Sequence, residues 1–370
     1  MRALSPRTFA RLVAGVGVVG GTGGIAAVCA SSPTGSQPTA SGPPPSATVG
    51  VGFVLSHEQF TTAELIDQAQ RAEDAGFQYL WASDHQQPWQ DNEAHAMFPW
   101  LTLAVVGRRT SRISYGTGVT CPIYHYHPAT VAQAFASLAM LSPQRVFLGV
   151  GTGERLNEQA GTAQFGPYAE RHDRLIEAIQ LMRQLWSGQR ISFAGRYFQT
   201  NQLKLYDLSP SAPPIFVAAS GPKSAQLAGQ YGDGWITQAA AVKDPKLVGA
   251  FEQGARAGGR NPSTMSKRVE LFAVVGDQNE VKRAAELWRF SGAGGFKLDQ
   301  PNPVAIQKAA ETTPWQTVAA NWTTGTEAAT HVAAVQGVLD GGAIPFLHFP
   351  QWNPIPAIEY YRTEVLPKLR

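Results

Sequence analysis

Short apolar runs alternate with longer helical patterns from residue 49 to the end of the chain, and this alternation restricts the fold more than any other feature. Apolar runs that are bounded by turn residues are typical of buried parallel strands. Eight strands interleaved with helices over about 320 residues predict a single (β/α)8 TIM barrel of the α/β class. A doubly wound sheet is the alternative, but no Gly-x-Gly-x-x-Gly motif follows the first strand. The predicted strands are Val49–Ser56, Phe77–Ser83, Ile113–Val119, Val146–Gly151, Ile215–Ser220, Gly234–Thr237, Val269–Val275 and Ile344–Phe349.

The clearest helical patterns cover Thr61–Ala75, Pro128–Leu141 and Tyr168–Trp186. Thr61 followed by Glu64 is a capping-box pattern, which supports the start of the first helix, and Gly76 is well placed to end it in the left-handed conformation. Two long insertions, Gln189–Lys204 and Ser291–Thr324, interrupt the alternation. The first carries an alternating strand-turn-strand pattern. Because long insertions on a barrel usually surround its active site, we expect both to cap the C-terminal face.

The first 48 residues have the layout of an export signal followed by a tether. We predict an export signal at 1–30, a disordered Ser/Pro/Gly linker at 31–48 and one barrel domain at 49–370. The signal resembles the twin-arginine type, with Pro6 in place of the first arginine. Lipidation at Cys29 is a second possibility, although Val28 is a poor residue before such a cleavage site. We therefore expect an exported protein of the cell envelope or a periplasm-like space, with membrane anchorage left open.

Composition argues against nucleic acid as a partner, because 30 basic and 27 acidic residues leave a formal charge of only +3 and no basic cluster is present. A metal is not predicted either. The closest histidine pair, His125 and His127, precedes Pro128 without a nearby cluster of cysteines or carboxylates, so we interpret these histidines as surface or loop residues.

Two predicted strands end in titratable residues, which points to an active site. Asp84 and His85 follow the second strand, with Trp89 four residues later, and Glu154 follows the fourth strand after two glycines. Because the carboxyl ends of barrel strands share one face, we expect these side chains to converge there. An enzyme is the natural interpretation.

Each of these residues has a functional and a structural interpretation. His85 suits a general base that removes a hydroxyl proton, or it braces the loop. Adjacent side chains in an extended segment point in opposite directions, so Asp84 does not orient His85 and instead binds a ligand or accepts structural hydrogen bonds. Glu154 becomes a proton donor if burial raises its pKa, and is otherwise a solvated loop residue. Trp89 forms an aromatic wall or packs in a lid.

The segment from Ser220 to Ser224 begins a helix directly after the fifth strand. Free backbone N–H groups at such a start bind anions, which suggests a phosphate. An ordinary strand-to-helix turn is an equal alternative from sequence alone.

Together these segments resemble the F420-dependent glucose-6-phosphate dehydrogenase family, which lies within the luciferase-like barrels. The resemblance runs from about residue 51 to 370 and is carried by Ser83–Trp89, Gly116–Val119, Arg145–Glu158, Leu181–Gly188 and Ala228–Gly234. It implies the coenzyme F420, an 8-hydroxy-5-deazaflavin whose C5 exchanges a hydride with a substrate carbinol. It also implies a non-prolyl cis peptide at Gly118–Val119, and we expect a homodimer.

The resemblance assigns roles to individual residues. His85 removes the hydroxyl proton, Trp89 helps to hold the developing oxyanion or the base, and Glu154 supplies the proton to N1 of the reduced ring. The implied coenzyme-binding residues are Asp84, Gly118, Val119, Thr152, Gly153, Asn157, Ser220 and Gly221.

Departures from the family pattern concern the substrate. The sugar-phosphate enzymes hold their phosphate with two lysines and an arginine, and the matching positions here are Ala241, Asn321 and Lys297. Two lost cations remove charge-assisted hydrogen bonds of about 1.5–3 kcal/mol each, so we expect little glucose-6-phosphate activity.

With the leader, this combination is similar to a mycobacterial branch of the family that oxidises long-chain secondary alcohols in the cell envelope. We predict an F420-dependent alcohol dehydrogenase, with hydroxymycolic acid as the favoured substrate and ketomycolic acid as product. The alternatives are a flavin-dependent monooxygenase of the same fold and an exported ligand-binding lipoprotein without turnover.

Overall fold

The computed structural model describes residues 50–370, so the predictions for 1–30 and 31–48 fall outside the described residues. All eight predicted barrel strands are present. One further short strand, β8, was not predicted. The strands are β1 (Gly52–Leu55), β2 (Tyr79–Ala82), β3 (Ser114–Thr117), β4 (Val146–Val150), β5 (Ile215–Ala218), β6 (Gly234–Gln238), β7 (Ser266–Val275), β8 (Thr323–Gly325) and β9 (Ile344–His348).

The parallel strands close into a barrel, which confirms the predicted fold. The sheet runs from β6 back through β5, β4, β3, β2 and β1 to β9 and β7, and β7 pairs again with β6. Strand β7 is long enough to have two neighbours on the side away from β6: Arg268–Phe272 pairs with β9, and Ala273–Val275 pairs with β8 outside the ring.

Helices cover the outside of the barrel, and their ends follow the predicted signals. Thr61 and Glu64 form the capping box of α1, and Gly76 ends that helix with φ of 99°. The helices are α1 (Thr62–Ala75), α2 (Pro99–Arg109), α3 (Pro128–Leu141), α4 (Glu158–Thr162), α5 (Tyr168–Leu185), α6 (Pro222–Tyr231), α7 (Pro245–Ala257), α8 (Gln278–Leu287), α9 (Pro303–Ala310), α10 (Trp315–Val318), α11 (Ala328–Leu339) and α12 (Ile355–Tyr360). Between residues 50 and 370, no helix is long and apolar enough to cross a membrane.

The two insertions lie at opposite ends of the barrel, so the prediction that both cap one face is half wrong. Ser291–Thr324 comes after helix α8, and its residues Ser291, Lys297 and Leu298 lie over the C-terminal face, as predicted. Gln189–Lys204 follows helix α5 and precedes β5, which places it at the N-terminal end. Its two arms pair antiparallel through isolated bridges, Ile191 with Leu203 and Ala194 with Gln199.

Aromatic rings fill the N-terminal end of the barrel interior and surround one buried cation, Arg268. Trp81 stacks on Phe346 with ring centroids 3.9 Å apart. The guanidinium carbon of Arg268 lies 3.6 Å from the ring centroid of Phe216 and 4.0 Å from that of Phe147. Burial lowers the pKa of Arg268 to about 9, and the faces of the aromatic rings offset part of its lost hydration. This cluster forms the floor beneath the site described next.

Candidate active site

A cavity of about 570 Å³ opens at the C-terminal face, and all eight barrel strands or the loops after them contribute to its wall. The arc formed by β2 to β5 contains glycines and most of the implied coenzyme-binding residues. The opposite arc is formed by β6, β7, β9 and the Ser291–Thr324 insertion with the residues just before it, and it contributes the rings of Phe272, Trp288 and Phe290 together with polar side chains. Glu58, which follows β1, stands where the two arcs meet.

His85 lines the cavity and is held from both sides. The side-chain oxygen of Asn157 accepts the backbone N–H of Gln86 at 2.9 Å, so its amide nitrogen faces Nδ1 of His85 at 3.0 Å. An amide N–H there donates to a bare Nδ1, which leaves the proton of the neutral ring on Nε2. That nitrogen lies 3.4 Å from a carboxylate oxygen of Glu58.

Glu58 is a site residue that the sequence analysis missed. Its second oxygen accepts hydrogen bonds from the hydroxyls of Ser83 and Ser56. Burial raises the pKa of this carboxyl, but the nearby His85 and the Ser83 hydrogen bond outweigh burial and hold the pKa below its ordinary value. The result is an ionised acceptor, 2% exposed, beside the imidazole.

Glu154 lies in the same cavity, on the loop after β4. Burial raises the pKa of its carboxyl, with His85 opposing the shift. A carboxyl with a raised pKa holds its proton to a higher pH than an exposed glutamate does, which is the condition stated above for a proton donor. Arg171 fixes the loop by donating to the carbonyls of Thr152 and Gly153 at 2.9 and 3.1 Å.

One wall of the cavity suits a flat ring. Gly118 and Val119 are joined by a cis peptide bond, as the family resemblance implied. Gly118 lies so close to the indole of Trp81 that an added Cβ would come within 2.7 Å of it. Gly153 adopts φ of 69°, a conformation that favours glycine. Such a wall lets a planar coenzyme approach the backbone, so the residues present fit a deazaflavin.

The segment after β5, for which anion binding was predicted, lies at the edge of the cavity and begins helix α6. Ser220 and Ser224 line the cavity, and Gly221 is the N-cap of α6. The helix start therefore offers backbone N–H groups and two hydroxyls at the edge of the glycine-containing arc. A phosphate of the coenzyme is the group we expect there.

Not every implied coenzyme residue faces the cavity. Asp84 is 5% exposed and accepts hydrogen bonds from Thr120, from Trp100 at 3.1 Å and from Tyr126 at 3.0 Å, which matches the structural alternative given for it. Asn157 stands behind His85. Asp84, Asn157 and Gly221 are absent from the cavity lining, whereas Gly118, Val119, Thr152, Gly153 and Ser220 belong to it.

Aromatic side chains cover part of the opposite arc of the cavity. Trp89 stacks on Phe290 with centroids 5.0 Å apart and planes 5° apart, and its ring centroid lies 5.3 Å from that of His85. Phe272 and Trp288 continue this surface. Trp89 therefore forms a wall of the cavity and also packs against the insertion.

A second histidine-carboxylate pair, which the sequence did not reveal, lies in the same cavity. His348 ends strand β9, and its Nδ1 lies 2.8 Å from a carboxylate oxygen of Glu270 on β7. No local sequence signal joins these residues, which are 78 positions apart, and only the neighbouring strands bring them together.

The histidine pair and the positions that match the family's phosphate-binding cations lie in surroundings that the sequence did not define. His125 is not a surface residue, because its side chain is 5% exposed and its Nδ1 lies 2.9 Å from Glu158. His127 caps α3. Of the three positions that match the family's phosphate-binding cations, Lys297 lines the cavity, whereas Ala241 and Asn321 do not.

Comparison with known proteins agrees with this geometry. Residues 37–343 match the family described as luciferase-like monooxygenase. The chain belongs to the luciferase-like family. Among its relatives, this luciferase-like protein is 64% identical over 370 residues to the F420-dependent hydroxymycolic acid dehydrogenase of Mycobacterium tuberculosis, covering 100% of both chains. It is 36% identical to the F420-dependent glucose-6-phosphate dehydrogenase of Mycolicibacterium gilvum, covering 86% of this chain and 98% of that one.

A solved structure extends the comparison. An F420-dependent secondary alcohol dehydrogenase in complex with an F420-acetone adduct superposes with a TM-score of 0.82 at 31% identity. The match covers 87% of this chain and 99% of that chain. The family resemblance derived from the sequence motifs is therefore confirmed.

Proposed function

We propose that this protein oxidises a secondary alcohol to a ketone, with coenzyme F420 as the hydride acceptor. One observation carries the proposal: a proton-accepting pair, His85 and Glu58, and a proton-donating carboxyl, Glu154, line the same cavity beside a glycine-containing wall. The F420-dependent relatives, one of them 64% identical over the whole chain, support the same reaction.

The His85–Glu58 pair takes up the hydroxyl proton. The ionised Glu58 is the proton acceptor of the pair, and the Nε2–H of His85 lies 3.4 Å from one of its oxygens and orients that carboxylate. Such proton transfer contributes typically about 10²–10⁴-fold to a rate. Asn157 keeps the imidazole in the tautomer that this role needs.

The glycine-containing arc holds the coenzyme, whose deazaflavin ring supplies the hydride acceptor when it is bound. Gly118, Val119 and Gly153 line this arc and would hold the ring, and Ser220 with the start of α6 would hold the phosphate. Burial raises the pKa of Glu154, so its carboxyl would be the proton donor to the ring nitrogen when the coenzyme is bound.

The opposite arc sets the substrate class. Phe272, Trp288, Phe290 and Leu298 form an apolar surface that suits hydrocarbon chains on either side of a carbinol. The absence of cations at Ala241 and Asn321 disfavours a sugar phosphate. We propose a long-chain hydroxy acid, with hydroxymycolic acid oxidised to ketomycolic acid as the favoured reaction.

Export to the cell envelope forms part of the proposal, because the first 48 residues have the layout of a signal and a tether. Fractionation of cells that express the full chain tests it. Protein found only in the cytosol at full length would contradict export.

We further propose a homodimer. Helix α2 and the residues before it expose an apolar surface, with Leu101 67% and Met97 46% exposed. Light scattering of the native protein and of the Leu101→Asp variant tests this, and a wild-type monomer would contradict it.

A binding titration followed by turnover tests the reaction itself. Purified protein is titrated with oxidised F420 and, in parallel, with FMN. It is then mixed with F420 and methyl ricinoleate, a long-chain secondary alcohol. Micromolar or tighter binding of F420, followed by its reduction, supports the proposal. A preference for FMN would indicate a monooxygenase, and tight binding without turnover would indicate a carrier.

A further inference from the structure

The charge of Arg268 lies in the barrel interior and is unused by the reaction as described. This residue is 5% exposed, and its Nε and Nη1 atoms are buried without a hydrogen-bond partner in the described part of the chain. No carboxylate between residues 50 and 370 forms an ion pair with it. The aromatic rings around it offset part of its lost hydration but carry no net charge. Because a guanidinium stays protonated at neutral pH, this positive charge is not cancelled locally.

The guanidinium lies beneath the glycine-containing arc of the cavity. Arg268 extends from β7 into the barrel, and the two rings nearest to its guanidinium carbon are Phe216 on β5 and Phe147 on β4. Two residues further along β5, and on the same face of that strand, Ala218 lines the cavity. Two residues of strand span about 7 Å. One layer of side chains therefore separates the charge from the cavity.

A second series of contacts joins Arg268 to the wall that suits a flat ring. The ring centroid of Phe346 lies 5.6 Å from the guanidinium carbon, and Trp81 stacks on Phe346. Trp81 lines the cavity and lies against Gly118 of the coenzyme wall. Ile236, which also lines the cavity, is the neighbour of Arg268 in the register between β6 and β7. Both routes place the cation directly under the cavity.

A buried charge acts through such a layer because little water is present to screen it. The rings that separate Arg268 from the cavity are hydrocarbon, in which the effective dielectric constant is far below that of water. A hydride that leaves the substrate carbinol brings one negative charge into the cavity. That charge lies on the coenzyme ring, or on Glu154 once this carboxyl has given up its proton. In either position it is attracted by the cation in the floor.

We propose that Arg268 assists hydride transfer electrostatically: its unpaired charge, held beneath the glycine-containing arc, stabilises the negative charge that the bound deazaflavin gains. This inference rests on the proposed F420-dependent function. Arg268 touches neither coenzyme nor substrate, so it acts through the floor of the cavity and is not a catalytic residue. Aromatic neighbours suit this role, because a carboxylate in their place would cancel the field of the cation.

The ring hydroxyl of oxidised F420 gives a test that needs no turnover. Its ionisation places a negative charge on the ring and changes the absorption spectrum, so a spectroscopic pH titration of the bound coenzyme measures it. In Arg268→Met, which replaces the cation with an apolar chain, the ionisation constant of this hydroxyl should fall about tenfold. Glu58, His85 and Glu154 are present in both samples, so their contributions cancel.

The reduction potential of the bound coenzyme gives a second test. The dissociation constant of reduced F420, divided by that of oxidised F420, should rise about tenfold in Arg268→Met, which lowers the potential by about 30 mV. Arg268→Gln is also neutral but packs differently, and it should show the same two shifts. A packing defect in one variant therefore does not decide the result.

The wild type alone also tests the sign of the field. Transfer of the ring out of water would by itself lower the ionisation constant of its hydroxyl. With Arg268 below, the bound coenzyme should ionise at least as readily as free F420. A bound hydroxyl that is about tenfold less acidic than the free one would overturn the proposal without any variant.

Arg145→Met is the matched control. Arg145 also packs against an aromatic ring, that of Tyr115, but it donates to the carbonyls of Ile113, Gly107 and Thr110 away from the cavity. Its replacement should lower thermal stability and leave both properties of the coenzyme unchanged. Shifts smaller than about twofold in both neutral variants of Arg268 would overturn its role and leave the dehydrogenase proposal standing. A wild type that binds no F420 would refute both.

Discussion

Replacement of Glu58 by glutamine is the sharpest test of the proton-accepting pair. The amide keeps one oxygen, which the hydroxyls of Ser56 and Ser83 still reach, so its NH2 group must take the place of the oxygen that faces His85. Two donors then face each other, since Asn157 holds the imidazole proton on Nε2. The variant loses both the acceptor and the charge that supports the ring.

The expected loss in kcat is about 10²–10⁴-fold. At about 1.36 kcal/mol for each factor of ten, this is about 2.7–5.4 kcal/mol of lost transition-state stabilisation. Coenzyme affinity should change little, because Glu58 lies at the edge of the glycine-containing arc. Stopped-flow reduction of F420 and a fluorescence titration measure the two quantities on the same sample.

The pH dependence of the folding stability gives a second test of Glu58, and the direction of the effect follows from its pKa. Because the pKa of Glu58 lies below its ordinary value in the folded protein, its ionisation stabilises the fold above the unfolded pKa, and this contribution is lost as pH falls. Wild type should exceed Glu58→Gln in stability at neutral pH, and the gap should close in acid.

The control is Glu73→Gln, which removes a buried carboxylate that accepts from the backbone N–H groups of Ser111, Arg112 and Ile113, outside the cavity. It should lower the melting temperature and leave kcat unchanged. A kcat of Glu58→Gln within about threefold of wild type, well under the 10² expected of an acceptor, would refute the assignment.

Three further predictions concern single carboxyls and the imidazole. His85→Ala should lower kcat by about 10²–10⁴-fold with F420 affinity nearly intact, and an unchanged rate of F420 reduction would remove His85 from the mechanism. Burial raises the pKa of Glu154, so kcat should fall as pH rises through that pKa, and a pH profile of Glu154→Gln should lack this limb. Burial and the nearby Glu58 raise the pKa of Glu93 well above its ordinary value, so Glu93 contributes stability that is complete below the unfolded pKa and is lost as pH rises. Melting curves from acid to neutral pH should show a smaller decline for Glu93→Gln than for the wild type, and equal declines would contradict this.

Local signals predicted the parts of the fold that depend on neighbouring residues. The capping box at Thr61 and Glu64 and the left-handed Gly76 are set by interactions within a few positions, and both are found. Strand ends were predictable to within a few residues, so His85 and Glu154 could be placed on one face. Strand β8 was missed because Thr323–Gly325 has no apolar pattern and pairs only with the projecting end of β7.

The residues that were not predicted from the sequence owe their roles to contacts between distant segments of the chain. Glu58 stands in a polar stretch after β1 that has the composition of an ordinary loop, and its role comes from His85, 27 positions later. Arg268 on a strand suggests an exposed face, yet it is buried in an aromatic cage built from other strands. Neither arrangement has a signature in local spacing.

The cage around Arg268 also determines how a long substrate enters. Because this floor fills the barrel at its N-terminal end, the cavity opens at the C-terminal face and does not pass through the barrel. An alcohol whose hydroxyl lies in the middle of a hydrocarbon chain cannot thread through the barrel. Both of its arms would then extend from the C-terminal face, and the chain would have to bend near the carbinol. Chain length beyond the mouth would then affect substrate capture far more than the chemical step.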